Sequence, residues 1–508
     1  MRNLIVCSDG TWNTPDQKDG QIPVPTNVVR LFNLLSERNQ EGVEQLKYYH
    51  PGVGTEGQWW QKVAGGAAGA GLSHNIKSAY RWLCDQYQAG DQIFQFGFSR
   101  GAYTARSLAG MIGRCGLLKT ATLPDREAWA RVEAAYTEGY RARKPHEQWS
   151  SNWEWHGKPG QVPIHFLGVW DTVGALGVPN DMAILNLLDD HHRYDFHDTA
   201  LGDFVTHARH AVALDERRAS FFPTLWTGTE RRQNVKQVWF PGVHCDVGGG
   251  YVETGLSDGA LKWMLEEAQG QGLGINPTMA KQIRPNPLDI LHNSRTGIFE
   301  MLHTQPRSVP LLVPANLGAL LHDSALERQK NPPITQAPYR ETCRLMASGD
   351  SQNFQIYATN HWNETGLYLE AGTTYKFEAT GEWLDKSIPC GPAGCDDGKF
   401  HLGEVIQLAG TMIGQLEGLY KQITHNNQAD FQGSRREEDT PWFALVGAIA
   451  NAADPGQDGS PPPHEKILIG AGCQFTPEAS GYLYCYANDA WLFYGNNRGS
   501  VRLQVTRL

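Results

Sequence analysis

At 508 residues, the chain exceeds what a single hydrophobic core usually supports, so its length predicts two or more domains. Hydrophobic residues at 40% and charged residues at 19% are typical of a globular protein and argue against disorder. The net charge of −10, the pI near 6.0 and the lack of a basic, aromatic-rich cluster argue against nucleic acid as a partner.

The N-terminal apolar run, residues 4–8, is too short for a signal peptide and leads directly into a turn. We expect it to form a buried strand, and no cleaved leader is predicted. The longest other apolar segment, residues 309–321, is interrupted by Pro314, Asn316 and Gly318, so no membrane span is predicted.

Nine cysteines are scattered along the chain, as in proteins made in a reducing compartment. Cys390 and Cys395 are the exception, because they flank a Gly-Pro-Ala-Gly turn. This spacing favours a local disulfide over a metal site, since no second Cys/His pair stands at a matching spacing.

Up to about residue 326, short apolar runs alternate with helical periods. Near-continuous apolar strands separated by helices predict an α/β fold with a mostly parallel sheet covered on both faces. Functional residues then belong at the carboxyl ends of the strands. The predicted strands are residues 4–8, 46–49, 92–96, 164–170 and 235–240, and the clearest helices between them are 27–35 and 74–87.

Residues 94–102 carry the motif Gly-x-Ser-x-Gly, with Ser99 at its centre. An apolar run precedes the motif, and a helical segment, residues 102–112, follows it. This is the arrangement of a nucleophile elbow, in which the serine occupies a sharp strand-to-helix turn and the glycines permit close backbone approach.

Two further residues at predicted strand ends complete a catalytic triad. Asp171 follows strand 164–170, and His244 follows strand 235–240. Ser, Asp and His in this chain order match the order of the triad in α/β-hydrolases. We expect Ser99 to attack a carbonyl carbon, His244 to act as base and then acid, and Asp171 to orient the imidazole.

The predicted oxyanion donors are the backbone N–H groups of Arg100 and Gly10, and we expect no cofactor for catalysis. The Arg100 side chain is either an exposed charge or a contact for an anionic phosphate head group. Asp9 is expected to anchor its loop by hydrogen bonds, with a catalytic role as the alternative.

Other residues compete for two of these roles. Asp171 could instead cap a helix that begins near Thr172, since aspartate at a strand end is a frequent N-cap. Asp246 could replace it as the orienting acid, although a position two residues after the histidine is unusual. We expect Asp246 to fix the loop 248–250 or to assist a metal.

His207 and His210 are the alternatives to His244. Both lie on an apparent helical face, residues 204–214. Histidines on such a face are more often structural, so His244 is the predicted base.

Several motifs together resemble the α/β-hydrolase domain of type VI secretion phospholipase effectors, over about residues 1–342. The resemblance implies a Ser-Asp-His lipase that releases acyl chains from phospholipids, with a secretion apparatus as partner. It also implies synthesis in the bacterial cytoplasm without a signal peptide and delivery into the target cell envelope or periplasm. The motifs are Ser-Asp-Gly-Thr-Trp-Asn, Gly-Phe-Ser-Arg-Gly-Ala-Tyr-Thr-Ala-Arg, Gly-Val-Trp-Asp-Thr-Val-Gly, Ala-Leu-Asp-Glu-Arg-Arg and Trp-Phe-Pro-Gly-Val-His-Cys-Asp-Val-Gly-Gly-Gly-Tyr.

Near residue 345 the helical periods give way to short alternating strands with Gly, Asn and Pro between them. The pattern predicts a β-sandwich or jelly roll, and hence a hydrolase domain at residues 1–345 and an all-β domain at 346–508. The predicted strands are 354–358, 367–369, 373–379, 443–448, 466–469, 481–486 and 501–506, with an insertion at about 396–441 and a loop at 454–463.

Residues 487–500 carry a possible ligand set. Asp489, followed by Asn496 and Asn497 across a turn, offers the hard oxygen ligands that calcium prefers. The same residues fit an ordinary Asn-rich turn between strands, and the spacing leaves both interpretations open.

The last 155 residues are similar to the PA-I-type galactophilic lectins, chiefly in Asn-Asp followed by Tyr-Gly-Asn-Asn-x-Gly-Ser. The resemblance implies calcium held by the side chains of Asp489, Asn496 and Asn497 and by the backbone carbonyls of Phe493 and Asp385. It also implies galactosides or envelope glycans as ligands. The chain departs from the family at Phe493, where the family has a small hydroxyl residue.

We therefore predict a serine esterase or lipase that acts on acyl esters, above all phospholipids, with peripheral membrane contact and a carbohydrate- or envelope-binding module that raises local substrate concentration. Two alternatives remain open. One is a lectin-like adhesive protein whose hydrolase fold is idle, and the other is an esterase acting on acylated glycans.

Overall fold

A computed structural model describes residues 1–10, 17–52, 68–142, 149, 151–174, 201–229, 232–296, 303–336, 338–395, 436–437, 439–451 and 462–508. The chain divides into two compact units. The first comprises residues 1–299, 313–339 and 454–461, and the second 300–312, 340–453 and 462–508. Residues 300–312 therefore group with the second unit, although they lie before the predicted boundary at residue 345.

A six-stranded parallel sheet forms the centre of the first unit. The strand order is β6-β5-β4-β3-β1-β2. Strand β2 therefore lies on one side of β1, and β3 to β6 follow in sequence on the other side. The α/β class and the five strands predicted from sequence are confirmed. The strands are β1 (Asn3–Ser8), β2 (Gln45–His50), β3 (Gln92–Phe98), β4 (Ile164–Trp170), β5 (Val205–Ala213) and β6 (Val235–Phe240).

Strand β5 corrects the prediction of a helical face over residues 204–214. It pairs in parallel with β4 on one side and β6 on the other. Its sequence, Val-Thr-His-Ala-Arg-His-Ala-Val-Ala, places apolar residues at 205, 208 and 211–213. This spacing resembles one face of a helix, although most of the strand is buried. His207 and His210 therefore lie on a strand.

Helices cover both faces of the sheet. On one face α2 and α3 pack over Leu4 and Val6, and on the other α1 and α6 pack over Ile5 and Cys7. Each such fully buried aliphatic side chain contributes roughly 1.5–3 kcal/mol. The helices are α1 (Asn27–Leu34), α2 (Ala68–Gln86), α3 (Arg100–Cys115), α4 (Asp125–Ala134), α5 (His244–Gly248), α6 (Gly255–Gln269), α7 (Pro277–Ala280) and α8 (Asp323–Lys330). Among the described residues, none of the helices combines the length and the apolar character that a membrane span requires.

The second unit is built from two antiparallel sheets, as the all-β prediction requires. One has the order β7-β15-β9-β10, with β13 also pairing β9, and the other β8-β14-β11-β12. The strands are β7 (Ser351–Tyr357), β8 (Asn363–Leu369), β9 (Tyr375–Asp385), β10 (Ile388–Cys390), β11 (Leu445–Ala450), β12 (Glu465–Leu468), β13 (Gly472–Phe475), β14 (Gly481–Ala487) and β15 (Asn497–Arg507).

One apolar core fills the space between these sheets and includes the buried Trp383, Phe377 and Leu503. Cys390 and Cys395 form the predicted disulfide, with their Cα atoms 5.4 Å apart. Strands β10 and β13 were not predicted, because each is very short. The predicted insertion and the predicted loop lie almost entirely outside the described residues.

Candidate active site

Ser99 occupies the turn between β3 and α3. Its φ of 56° lies in the left-handed region, which costs about 1–3 kcal/mol for a residue other than glycine. The Ser99 N–H donates to the carbonyl oxygen of Trp170 at 3.1 Å, which ties the turn to the end of β4. A Cβ on Gly97 would collide with the Gly101 carbonyl, and one on Gly101 would collide with the Ser8 carbonyl. The strained turn therefore requires both glycines of the motif.

Asp171 follows β4 and is completely buried. Its Oδ1 accepts the Ala213 N–H at 2.9 Å, and its Oδ2 lies 2.6 Å from His244 Nδ1. Its own N–H donates to the Ala211 carbonyl at 2.7 Å. These bonds place the carboxylate against the imidazole and the end of β5. The alternative of an N-cap on a helix after Thr172 involves residues that lie partly outside the described part of the chain.

The His244 imidazole is held between two aromatic rings. Phe98, the residue before Ser99, lies 4.6 Å from it at a 32° tilt, and Phe221 meets it edge-on at 4.9 Å. Burial lowers the pKa of His244, although the bond to Asp171 acts in the opposite direction. The imidazole is therefore kept neutral, with its Nδ1 directed at Asp171.

Asp9 anchors the loop that follows β1. Its Oδ2 accepts hydrogen bonds from Thr26 Oγ1 at 2.7 Å and from Tyr49 OH at 2.9 Å, while its Oδ1 accepts the Gly10 N–H at 2.7 Å. Burial and the neighbouring Asp9 carboxylate raise the pKa of Tyr49, so this phenol stays a donor. The Gly10 N–H, predicted to serve an oxyanion, is thus directed at Asp9, because a carboxylate readily accepts the amide of the next residue. The other predicted donor, the Arg100 N–H, lies in the first turn of α3, where the helix dipole favours negative charge.

The rival histidines have other roles. His210 is fully buried, its Nε2 accepts the Thr172 N–H at 3.1 Å, and its Nδ1 lies 3.3 Å from Gln237 Oε1. His207 lies edge-on to the His165 ring at 5.6 Å, and burial lowers its pKa. Neither histidine contacts Asp171 in the way that His244 does.

Three acidic side chains hold the backbone that leads into α5. The N–H groups of residues 242, 243 and 244 donate in turn to Asp215 Oδ2 at 2.7 Å, Asp246 Oδ2 at 3.0 Å and Glu216 Oε2 at 3.3 Å. Asp215 and Glu216 were not predicted as site residues. The one local signal that could have identified them is their position directly after a buried strand, inside Ala-Leu-Asp-Glu-Arg-Arg.

Asp246 forms a second aspartate–histidine pair. Its Oδ1 lies 2.6 Å from His292 Nδ1, and His292 Nε2 lies 3.2 Å from Glu253 Oε2. It therefore fixes residues 243 and 292 instead of the predicted loop 248–250. No group of three or more His, Cys, Asp or Glu side chains suited to a metal occurs among the described residues.

In the second unit, the predicted calcium ligands lie close together. Asp489 is fully buried, its Oδ1 accepts the Ala490 N–H at 2.6 Å, and its Oδ2 accepts Asn497 Nδ2 at 2.9 Å. Asn496 Nδ2 donates to Asp385 Oδ1 at 3.1 Å. Burial, reinforced by the charge of Asp385, raises the pKa of Asp489 to about 7.

Two buried oxygens at this place lack partners. The Oδ1 atoms of Asn496 and Asn497 are buried and have no hydrogen-bond partner within the described part of the chain. Two carboxylates and two unpartnered amide oxygens are a donor set that fits a hard divalent cation such as Ca²⁺. The Phe493 N–H donates to the Ala490 carbonyl at 2.9 Å, so this residue lies on the same turn.

Comparison with known proteins identifies a family match in the first unit. Residues 2–267 match the model for the catalytic domain of T6SS Tle1-like phospholipase effectors. An uncharacterised protein of Saccharomyces cerevisiae, YEL023C, is 34% identical over 241 residues, which cover 43% of this chain and 32% of that protein. The chain therefore spans about a third of the length of this curated relative.

Among solved structures, the similarities are weaker. An uncharacterised protein from Pseudomonas aeruginosa is 21% identical, with a TM-score of 0.34 over 56% of this chain and 49% of that one. A Tle1 effector bound to the VgrG spike of the type 6 secretion system is 18% identical, with a TM-score of 0.31 over 49% of this chain and 51% of that one. The EclA N-terminal domain, a PllA-like lectin, is 16% identical, with a TM-score of 0.18 over 31% of this chain and 95% of that one.

Proposed function

The chain belongs, through residues 2–267, to the family of T6SS Tle1-like phospholipase effectors, and on that premise we propose that its first unit is a serine esterase hydrolysing phospholipid acyl esters. The observation that carries this proposal is the 2.6 Å contact between His244 and Asp171, beside the strained turn of Ser99. An aspartate–imidazole pair next to a serine on an elbow is the arrangement used for acyl transfer.

In the proposed reaction, Ser99 Oγ attacks the ester carbonyl carbon while His244 Nε2 takes the hydroxyl proton. Asp171 stabilises the resulting imidazolium through Nδ1. The negative oxygen forms beside the N-terminus of α3 and its Arg100 N–H. His244 then gives its proton to the departing alcohol oxygen, leaving an acyl-serine. Water, deprotonated by His244, attacks the acyl carbon, and His244 then returns this proton to Ser99 Oγ as the fatty acid leaves.

The electrostatic setting suits this role. A general base must be neutral at the working pH, and burial lowers the pKa of His244 below its usual value. Its Nδ1 is held by Asp171, which leaves Nε2 as the nitrogen for proton transfer.

For the second unit we propose calcium-dependent binding of galactosides or envelope glycans. The unpartnered Oδ1 atoms of Asn496 and Asn497, next to Asp489, support this proposal. Calcium would be held by these three side chains and by the backbone carbonyls of Phe493 and Asp385. When bound, it would supply coordination positions for sugar hydroxyls.

The proposed partner is a type VI secretion apparatus, and the proposed destination is the envelope or periplasm of a target cell. The Tle1 effector among the similar structures is bound to a VgrG spike, and the same class of partner is proposed here. Peripheral contact with the target membrane follows from the proposed phospholipid substrate.

Lipid product analysis on purified protein tests the hydrolase. Phospholipid vesicles are incubated with the parent, with Ser99→Ala and with Ser78→Ala, a half-buried serine on α2. We expect free fatty acid and lysolipid from the parent and from Ser78→Ala, and none from Ser99→Ala. Equal release by Ser99→Ala and the parent would overturn the enzyme proposal in favour of an idle hydrolase fold. Ser99-dependent release from acetylated glycans alone would favour the glycan esterase.

A further inference from the structure

Glu216 is a buried carboxylate in the segment after β5, with 1% of its surface exposed. Its Oε2 accepts the His244 N–H at 3.3 Å, and its Oε1 accepts the Ser294 hydroxyl at 2.9 Å. Burying a carboxylate this deeply is unfavourable unless its charge is matched. Arg218 supplies the match, because its Nε lies 3.0 Å from Oε1 and its Nη2 lies 2.8 Å from Oε2.

Arg218 is connected to the His244 ring through Phe221. Its guanidinium lies over the Phe221 ring, 3.5 Å from the ring centroid. The Phe221 ring in turn meets the His244 imidazole edge-on, with centroids 4.9 Å apart. Glu216 therefore contacts the backbone of His244 directly. It also contacts the His244 ring indirectly, through Arg218 and Phe221.

We propose that Glu216 and Arg218 are a positioning pair that fixes both the backbone and the imidazole of His244 for ester hydrolysis by Ser99. The inference rests on the proposed serine-esterase function and deepens it. The pair contacts His244 through its backbone N–H and, by way of the Phe221 ring, through its imidazole. A base whose ring is displaced by about 1 Å can lose as much as a hundredfold in rate, so such anchoring has a measurable kinetic effect.

The pair also balances the charge around the base. Burial, then Asp171, has the largest effect on the pKa of His244, while Arg218 lowers that pKa and Glu216 raises it. The neighbouring Asp246 is directed at His292, and burial raises the pKa of the Cys245 thiol, which stays neutral. Because Arg218 and Glu216 act in opposite directions, removing one of them leaves the effect of the other unopposed.

Steady-state kinetics of the full chain against pH test the proposal, with a nitrophenyl ester as substrate. In Glu216→Gln, the remaining Arg218 charge disfavours the imidazolium, so the acidic limb of kcat/KM moves to lower pH by about one unit. In Arg218→Met, the remaining carboxylate favours the imidazolium, and the limb moves to higher pH by a similar amount. Both variants lose about tenfold to a hundredfold in kcat with little change in KM.

Asp215→Asn is the matched control. Asp215 holds the same loop at the Gly242 N–H and also accepts the Tyr339 hydroxyl at 2.9 Å. It is not among the largest influences on the pKa of His244, so we expect the acidic limb of Asp215→Asn to stay close to that of the parent. Two results would overturn the proposal. In the first, the acidic limbs of kcat/KM for Glu216→Gln and Arg218→Met have the same midpoint pH as the parent. In the second, both midpoints move in the same direction.

Each single variant removes one member of a buried ion pair and can prevent folding. The double variant E216Q/R218M leaves neither charge and keeps the test decisive. We expect it to show the acidic limb and KM of the parent with a lower kcat, and an unchanged kcat would overturn the proposal. Ser99→Ala is measured alongside. Hydrolysis that does not need Ser99 contradicts the proposed function itself, whereas Ser99-dependent hydrolysis with unmoved limbs contradicts only the positioning pair.

Discussion

Asp171 Oδ2 lies 2.6 Å from His244 Nδ1, the same separation as between Asp246 Oδ1 and His292 Nδ1. The two pairs differ at the other ring nitrogen. His292 Nε2 faces Glu253, and although burial lowers the pKa of His292, its bonds to the two carboxylates raise that pKa overall. The pKa of His244 is lowered. The Asp246 pair therefore favours the protonated imidazole, and the Asp171 pair favours the neutral one.

Asp171→Asn is expected to reduce kcat by about three to four orders of magnitude with little change in KM. The amide keeps the shape of the carboxylate but no longer fixes the imidazole tautomer or stabilises the imidazolium. Hydrolysis of a short-chain nitrophenyl ester measures the effect. Asp246→Asn is the control, since its carboxylate contacts His292 and not the His244 ring. A variant at position 171 as active as the parent would contradict the assigned role.

The acidic limb of kcat/KM is expected below pH 6.5. The base works only when neutral, and the lowered pKa of His244 keeps it neutral to a lower pH than an exposed histidine allows. Activity therefore falls only as the pH drops through this lowered value. A pH series with a neutral ester substrate, which does not itself titrate, locates the limb. A midpoint above pH 6.5 would show that the imidazole is not protected in this way.

Most strands of the parallel sheet could be predicted from the local sequence pattern, but β5 could not. Strands that end in a turn with Gly or Asp were predicted because apolar runs and turn residues are adjacent in sequence. Residues 205–213 were predicted to be helical because their apolar residues, 205, 208 and 211–213, recur at a helix-like spacing. Only pairing with β4 and β6 decides its structure.

The sequence predicts those candidate site residues that follow a predicted strand. Ser99, Asp171 and His244 were predicted as site residues because each follows a predicted strand. Glu216 was not, because its partners are the main chain of residue 244 and the hydroxyl of Ser294, which are far away in sequence. Long-range hydrogen bonds leave no period or spacing to detect.

Gly101→Ala is expected to destabilise the protein by about 3 kcal/mol or more, because its Cβ would collide with the Ser8 carbonyl in the rigid turn. Gly259→Ala is the matched control. Gly259 lies inside α6, and a Cβ there would meet no atom within 4 Å among the described residues. That change is expected to stabilise by about 0.5–1 kcal/mol through helix propensity. Urea unfolding of both variants measures the difference, and equal effects would contradict the close approach at the elbow.

Calcium is expected to stabilise the protein more at pH 8 than at pH 5.5. Burial, with Asp385 nearby, raises the pKa of Asp489 from 3.8 to about 7 in the metal-free fold. Between these values the folded state binds more protons than the unfolded state, so metal-free stability falls as the pH rises through this window. Calcium binds the ionised carboxylate of Asp489. At pH 8, where few protons compete for this carboxylate, bound calcium therefore offsets the loss of metal-free stability.

Scanning calorimetry with calcium or a chelator at both pH values measures the two effects. Asp489→Asn is the control and is expected to lose the pH dependence together with most of the calcium response. A parent protein whose Tm at pH 8 is the same with calcium and with chelator would rule out this site.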